Sequence, residues 1–237
     1  MIAVIFAGGL GERLRPLTRA TPKPLIPIKN RPFLWYQIRL LSSFGVKKFI
    51  ILTGYLSNLI EDYFEDGKKL GVEIIYSKEE SPLGTGGALK LASPLIKENF
   101  LLLNGDDIPI IDYALFFAIV KSGQFTNIIT VHKGGKGGNL KVDKRTGYVL
   151  FYSKVRNESF NYVHSGLSFF NKDVLALLPN GKYDVEEKLF NKLAKKKKLV
   201  YFEALGRTLS IGTYPRLRRS RFLLERFIIS YIDNKEI

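Results

Sequence analysis

Cysteine is absent from the 237 residues, which excludes disulfides, thiolate metal sites and a cysteine nucleophile together. Histidine occurs only at His132 and His164, too few imidazoles for a histidine-built metal centre. No run of roughly 18 apolar residues is present, so the sequence predicts no membrane span. The amino-terminal MIAVIFAGG is apolar but short. It lacks a preceding basic region and a small-residue cleavage site, which points to a cytoplasmic protein. Acids are scarce relative to bases: 22 Asp plus Glu against 37 Lys plus Arg leave a formal charge of +15. Such a field attracts phosphorylated ligands, nucleic acid or an anionic surface, and sign alone does not choose among them.

What is present is a globular composition, 46% hydrophobic and 25% charged, with length enough for one sizeable core. The Lys- and Ile-rich makeup with a single Met also resembles proteins from hot environments. Apolar β-branched runs predict strands at 2–6, 48–53, 72–76, 100–103 and 127–131. Between them helices are predicted at 32–44, 56–64, 87–97 and 113–121, with Pro32 in a first turn and Thr85 as a cap. After Val131 the texture changes. A glycine-rich HKGGKGGN precedes LKVDKRTGYVLFY, which predicts two short strands joined by a turn at 145–147. A strand at 163–170, helices at 173–178 and 185–195, a strand at 199–202 and a helix starting at Tyr214 complete the pattern. With no linker or repeat, the expectation is one α/β domain over 1–237, a Rossmann-like mixed, mostly parallel sheet flanked by helices.

Chemistry concentrates at GGLGERLRPLTRATPKPL, residues 8 to 25, directly after the first strand. Glycines there let backbone amides approach an anion. A dinucleotide fingerprint fails because its third glycine position holds Leu14, and the P-loop pattern G-x-x-x-x-G-K-[ST] occurs nowhere. What remains is a glycine loop followed by Arg13 and Lys23 on a proline-stiffened connection. Two cations at fixed spacing suit a polyphosphate. Further on, LLLNGDDIPI ends a buried strand in Asp106, and carboxylates at the carboxyl ends of parallel strands face a ligand crevice. Asp107 reads as a turn acid.

The string G-G-x-G-x-R-L-x-P-L-T followed by P-K-P-L resembles the signature of the sugar-phosphate nucleotidylyltransferases, with Glu12 where Thr is familiar. PLGTGGAL (82–89), YVHSGLSFF (162–170) and YDVEEKLFNKL (183–193) are similar to further elements of that family, the last to the helix of its mannose and heptose guanylyltransferases with Asp184 and Glu186 as acids. The resemblance implies the nucleotide-diphospho-sugar transferase fold, with a nucleotide-binding half at 1–131 and a sugar-phosphate-binding half at 132–237 that includes the C-terminal helix. It implies Mg²⁺-dependent transfer of a nucleoside monophosphate from a triphosphate to a sugar 1-phosphate, with pyrophosphate leaving. GTP with mannose or heptose 1-phosphate is slightly favoured. Arg13, Lys23 and Asp106 are the implied catalytic residues, Asp106 also holding the metal. Ala7, Gly8, Gly9, Gly11, Arg13, Gly84, Thr85 and Gly86 are the implied nucleotide contacts; Lys154, His164, Gly166 and Glu186 are those for the sugar phosphate. His164 reads equally well as a packing residue.

Two positions depart from the family pattern. Ser153-Lys154-Val155 stands where E-K-P is usual, and TLSIGTYP places Ser210 where an Asp is the second metal ligand. A hydroxyl carries no charge to offset dehydration of a dication, so a non-catalytic nucleotide-sugar-binding relative is the rival expectation. A nucleic-acid-binding protein, suggested by the basic runs 195–198 and RLRRSRF, is the weaker third because no aromatic-interleaved motif accompanies them. The expected partners are therefore a nucleoside triphosphate and a sugar 1-phosphate, without nucleic acid or membrane, in a chain that can form a homo-oligomer.

Overall fold

A computed structural model describes residues 1–135, 137–228 and 231. Lys136, in the predicted glycine-rich loop, lies outside the described residues. The first strands are β1 (Ile2–Phe6), β2 (Pro27–Ile28), β3 (Arg31–Pro32), β4 (Lys48–Thr53), β5 (Glu73–Lys78), β6 (Phe100–Asn104) and β7 (Asp107–Ile108). They are followed by β8 (Asn127–Lys133), β9 (Gly138–Val142), β10 (Val149–Asn157), β11 (Tyr162–Phe170), β12 (Val200–Glu203) and β13 (Leu209–Ser210). The α-helices are α1 (Phe33–Ser43), α2 (Ser57–Phe64), α3 (Gly84–Ala92), α4 (Tyr113–Ser122), α5 (Asn191–Lys195) and α6 (Tyr214–Ile228). The fold is the expected mixed α/β type. Two compact units divide it: Met1–Pro82 with Leu103–Ile108 and Leu209–Ile237, and Leu83–Leu102 with Pro109–Thr208.

In the first unit β1 pairs with β4 and β4 with β5, all parallel, from Ile2 opposite Lys48 to Thr53 opposite Lys78. β1 and β4 are apolar along nearly their whole length and buried, as strands covered on both faces must be. The α1 sequence FLWYQIRLLSS buries eight of its first nine residues, too many for a surface stripe. Pro32 is its N-cap rather than its first helical residue, with ψ at 150°. β7 and β13, absent from the sequence reading because each is two residues long, pair antiparallel and set Ser210 opposite Asp107.

The second unit is mixed. β8 runs antiparallel to β11 and parallel to β12, and β9 is antiparallel to both β10 and β11. The predicted hairpin turn is present, with the Asp143 carboxylate accepting from Arg145 N and Thr146 Oγ1. Helix α3 starts at Gly84, three residues before the predicted start, and Thr85 is not its cap. The extra turn is made by tertiary bonds: Thr85 Oγ1 accepts from Val185 N and Gly86 N donates to Tyr183 O. The predicted helix over 185–195 is a π-turn, Glu186–Phe190, running into α5, and that over 173–178 is a 3₁₀ segment, Lys172–Leu177.

The hydroxyls of Tyr36, Tyr76, Tyr152, Tyr162, Tyr183 and Tyr201 are pushed above the usual value of 10. Burial is the first cause in each, and for Tyr162 burial with the Glu203 carboxylate raises it to about 12. A raised pKa favours the neutral phenol in the folded state. The associated stability is therefore complete below about pH 10 and is lost as pH climbs through the folded values. The urea midpoint should stay level to about pH 10 and fall between about 10 and 12, in step with tyrosinate absorbance.

Candidate functional site

The loop after β1 is shaped by its own packing. Ala7 is buried and its N–H donates to Leu52 O at 2.8 Å. Gly8 lies so close to Gly54 and Glu79 that a Cβ would come within 3.1 to 3.2 Å of them, whereas Gly9 has open space. Gly11 has φ +65° and a Cβ there would lie 2.8 Å from Thr18 Cγ2, so a side chain is excluded by conformation and by contact. Buried Thr18 also donates its hydroxyl to Gly11 O at 2.9 Å. The next turn, Glu12–Leu14, is anchored by fully buried Leu14 and presents Arg13. Burial of one leucine contributes about 1.5–3 kcal/mol to holding that turn.

Lys23, on the short turn Lys23–Leu25, reaches Asp106 across 83 residues of sequence: Nζ lies 2.9 Å from Oδ2, with the two side chains 18% and 20% exposed. Gly212 marks where the groups converge. A Cβ built on it would sit 3.1 Å from Asp106 Oδ2, 3.4 Å from Arg13 Nη2 and 3.5 Å from Ser210 Oγ. Beside this point lies a cleft of about 420 Å³ lined by Leu10, Gly11, Glu12, Arg13, Lys23 and Gly212. The backbone is tied around it. Ile211 N donates to Asp106 O, Tyr214 Oη donates to Leu14 O, and Ser220 Oγ donates to Ser210 O. Ser210 Oγ accepts from Gly212 N at 3.3 Å, which makes it a turn-forming hydroxyl. Asp107 turns aside to accept from Asn104 Nδ2.

Sequence reasoning missed the side chain that holds the Asp106 turn. Gln37, 1% exposed on α1, donates Nε2 to the carbonyls of Asn104 and Asp107, both at 2.8 Å. Its signal was one amide inside the apolar FLWYQIRLL, since buried polar groups exist for their partners. Gln37→Leu should cost about 1–2 kcal/mol by stranding two part-buried carbonyls. Chemical denaturation checks this cost.

The second unit gathers His164, Glu186 and Tyr152. His164 Nδ1 lies 2.6 Å from Glu186 Oε1, Tyr152 Oη donates to Glu186 Oε2 at 2.6 Å, and His164 Nε2 lies 3.1 Å from Ser168 Oγ. The shift in strand register between His164 and Ser168, with Gly166 at φ +90°, bulges β11 and sets these two side chains in reach. The π-turn presents Glu186 there, and Asn191 clasps both its turn and Tyr152 through Glu187 O, Tyr152 O and Tyr152 N. Burial first, then Glu186, drives the Tyr152 hydroxyl far above its ordinary range, so it stays a donor. Lys154 lies apart from this network, mostly exposed, 3.4 Å from Asp184. Ser153 Oγ accepts from Val155 N.

The glycines of 84–87 have an occupant from the chain itself. A Cβ on Gly86 would lie 2.0 Å from the Tyr183 ring, and one on Gly84 would lie 2.5 Å from Tyr183 O. Gly84, Thr85 and Gly86 therefore seat residues 183–185. Tyr183, which the sequence reading passed over, is the reason side chains are excluded there, and its hydroxyl is buried without a hydrogen-bond partner among the described residues.

The family model described as Nucleotidyl transferase matches residues 2–217. The chain is 34% identical over 220 residues to mannose-1-phosphate guanyltransferase beta-A of Xenopus laevis and 33% identical over 219 residues to the mannose-1-phosphate guanylyltransferase catalytic subunit beta of Dictyostelium discoideum. Each match takes in 90% of this chain and 61% of the relative, so the chain spans less than two thirds of their length. Among solved structures it is similar to HddC from Yersinia pseudotuberculosis, with a TM-score of 0.77 and 25% identity, over 94% of this chain and 99% of that one.

Proposed function

The chain belongs to the nucleotidyl transferase family, and from that premise we propose that it joins a nucleoside triphosphate to a sugar 1-phosphate, releasing pyrophosphate and forming a nucleotide sugar. GTP with mannose 1-phosphate or heptose 1-phosphate is the preferred pairing, supported by the guanylyltransferase relatives and by the L-G-T-G-G sequence at 83–87. The observation that carries the reading is the convergence of Arg13 and Asp106 on Gly212, with Lys23 bonded to Asp106.

Phosphoryl-group chemistry asks the protein for alignment and charge rather than a nucleophile. A sugar 1-phosphate oxygen attacks the α-phosphorus and the bond to the β-phosphate oxygen breaks. Arg13 steadies the departing β and γ phosphates with a planar fork of donors. Lys23 exchanges its bond to Asp106 for a phosphate oxygen. Lys154, mostly exposed, serves the phosphate of the sugar, and Gly166, His164 and Glu186 support the sugar side through the network that joins His164, Glu186 and Tyr152.

Asp106 fits Mg²⁺. Its Oδ2 already receives a cation, the Lys23 ammonium at 2.9 Å, and this ion needs only one or two carboxylates besides phosphate oxygens and water. Asp106 would hold the metal, with Ser210 Oγ as a neutral neighbour. When bound, Mg²⁺ supplies positive charge against the phosphate oxygens.

The bond from Gly212 N to Ser210 Oγ favours one rival, a relative that binds nucleotide sugars without making them. Pyrophosphate release with Mg²⁺, crossing GTP, UTP, dTTP and CTP against mannose, glucose, N-acetylglucosamine and heptose 1-phosphates, separates the two. Release with GTP and mannose or heptose 1-phosphate is expected. Nucleotide binding with no release across the grid would replace the enzyme by the binding relative.

A further inference from the structure

Within the second unit the Thr85 hydroxyl oxygen accepts from Val185 N at 2.9 Å, across 100 residues of sequence. Two main-chain bonds flank this one, Gly86 N donating to Tyr183 O at 2.9 Å and Tyr183 N donating to Leu83 O at 3.2 Å. Residues 83–86 therefore grip residues 183–185, and Thr85 supplies the side-chain member of the set.

The gripped segment carries the sugar side of the proposed site. Asp184 Oδ1 accepts from Glu186 N at 3.0 Å and Glu187 N at 3.5 Å, as an N-cap does, and Asp184 Oδ2 lies 3.4 Å from Lys154 Nζ. Buried Val185 has helical angles, φ −64° and ψ −41°, and opens the turn that this cap begins. Glu186 follows it, bonded to His164 and Tyr152. A peptide N–H in a first helical turn finds no carbonyl inside its own turn, so the Thr85 oxygen decides where this one is anchored. We propose that Thr85 is a positioning residue for the sugar 1-phosphate: through Val185 it sets the place of Asp184 and Glu186, and with them that of Lys154 and His164. This role rests on the sugar-side part proposed above for Glu186 and Lys154.

Thr85→Val keeps the shape of the side chain and removes the acceptor. With GTP and mannose 1-phosphate as substrates, the KM for mannose 1-phosphate should rise about five- to tenfold, the loss expected of one hydrogen bond. Both kcat and the KM for GTP should change less than about twofold. Thr85→Ser, which keeps the hydroxyl, should restore the unaltered KM. Val185→Pro reaches the same bond from its other end. It deletes the N–H at a residue whose φ of −64° suits proline, in a first-turn position that tolerates it. Thr85 stays intact in that variant, and the same KM should rise by about the same factor. In a Glu186→Gln background, Thr85→Val should add less than about twofold, because the two changes act through one group. Equilibrium dialysis of labelled mannose 1-phosphate should rank the variants in the same order without turnover. Equal rises in both KM values, a loss confined to kcat, or a full further loss in the Glu186→Gln background would overturn this role and leave the proposed reaction standing. An unaltered chain that neither releases pyrophosphate from this pair nor retains mannose 1-phosphate would overturn both.

Discussion

Asp106→Asn should lower pyrophosphate release about 10³-fold while the protein melts within a few degrees of its unaltered temperature. The substitution keeps the shape and removes the charge. In the folded chain that charge lies 2.9 Å from the Lys23 ammonium and beside Arg13. Asparagine there offers a neutral oxygen, a far weaker partner for a dication or an ammonium. Stability changes little because the turn is held by groups the substitution leaves in place: Gln37 on the carbonyls of Asn104 and Asp107, and Ile211 N on Asp106 O. Asp107→Asn is the matched control. Its carboxylate bonds to Asn104, and rates within about threefold of the unaltered chain are expected. Comparable losses at both positions would move the anionic role to the pair.

Glu186→Leu should destabilise the chain by about 3 kcal/mol in urea unfolding, the largest single loss of stability expected here. Glu186 uses one oxygen for His164 and the other for Tyr152, both at 2.6 Å. The His164 side chain is 6% exposed and Tyr152 is 4% exposed. Removing the acid leaves a ring nitrogen and a phenol without partners in places water reaches poorly, so the desolvation cost of both is unrecovered. Glu186→Gln should cost about half as much, because one amide oxygen still accepts while the amide nitrogen faces a donor. An equal cost for the two substitutions would mean that packing, and not the pair of hydrogen bonds, sets the role of this side chain.

Local chemistry carried much of the architecture. The apolar runs of β1, β4 and α1 and the apolar period of α2 were legible because burial all round, or along one stripe, imposes a pattern that adjacent residues reveal. Arg13, Lys23 and Asp106 were legible for a similar reason: strand ends followed by glycine, proline, cation or acid have few structural uses. Misplaced helix boundaries occur where distant contacts prevail. The glycines at 84 and 86 read as a loop, yet α3 includes them because residues 183–185 satisfy its first turn.

By itself the sequence determined the mixed α/β class, most strands and helices, and the glycine-, proline- and cation-rich character of residues 8 to 25, since each follows from periodicity or from residues close in the chain. Tertiary structure alone decided that Lys23 meets Asp106 across 83 residues, that a buried Gln37 grips the Asp106 turn, and that Ser210 closes a turn with Gly212. It also decided that a bulge and a π-turn bring His164, Glu186 and Tyr152 into one network. A hydrogen bond depends on where two atoms end up, and for residues far apart in the chain only the packed fold sets that distance.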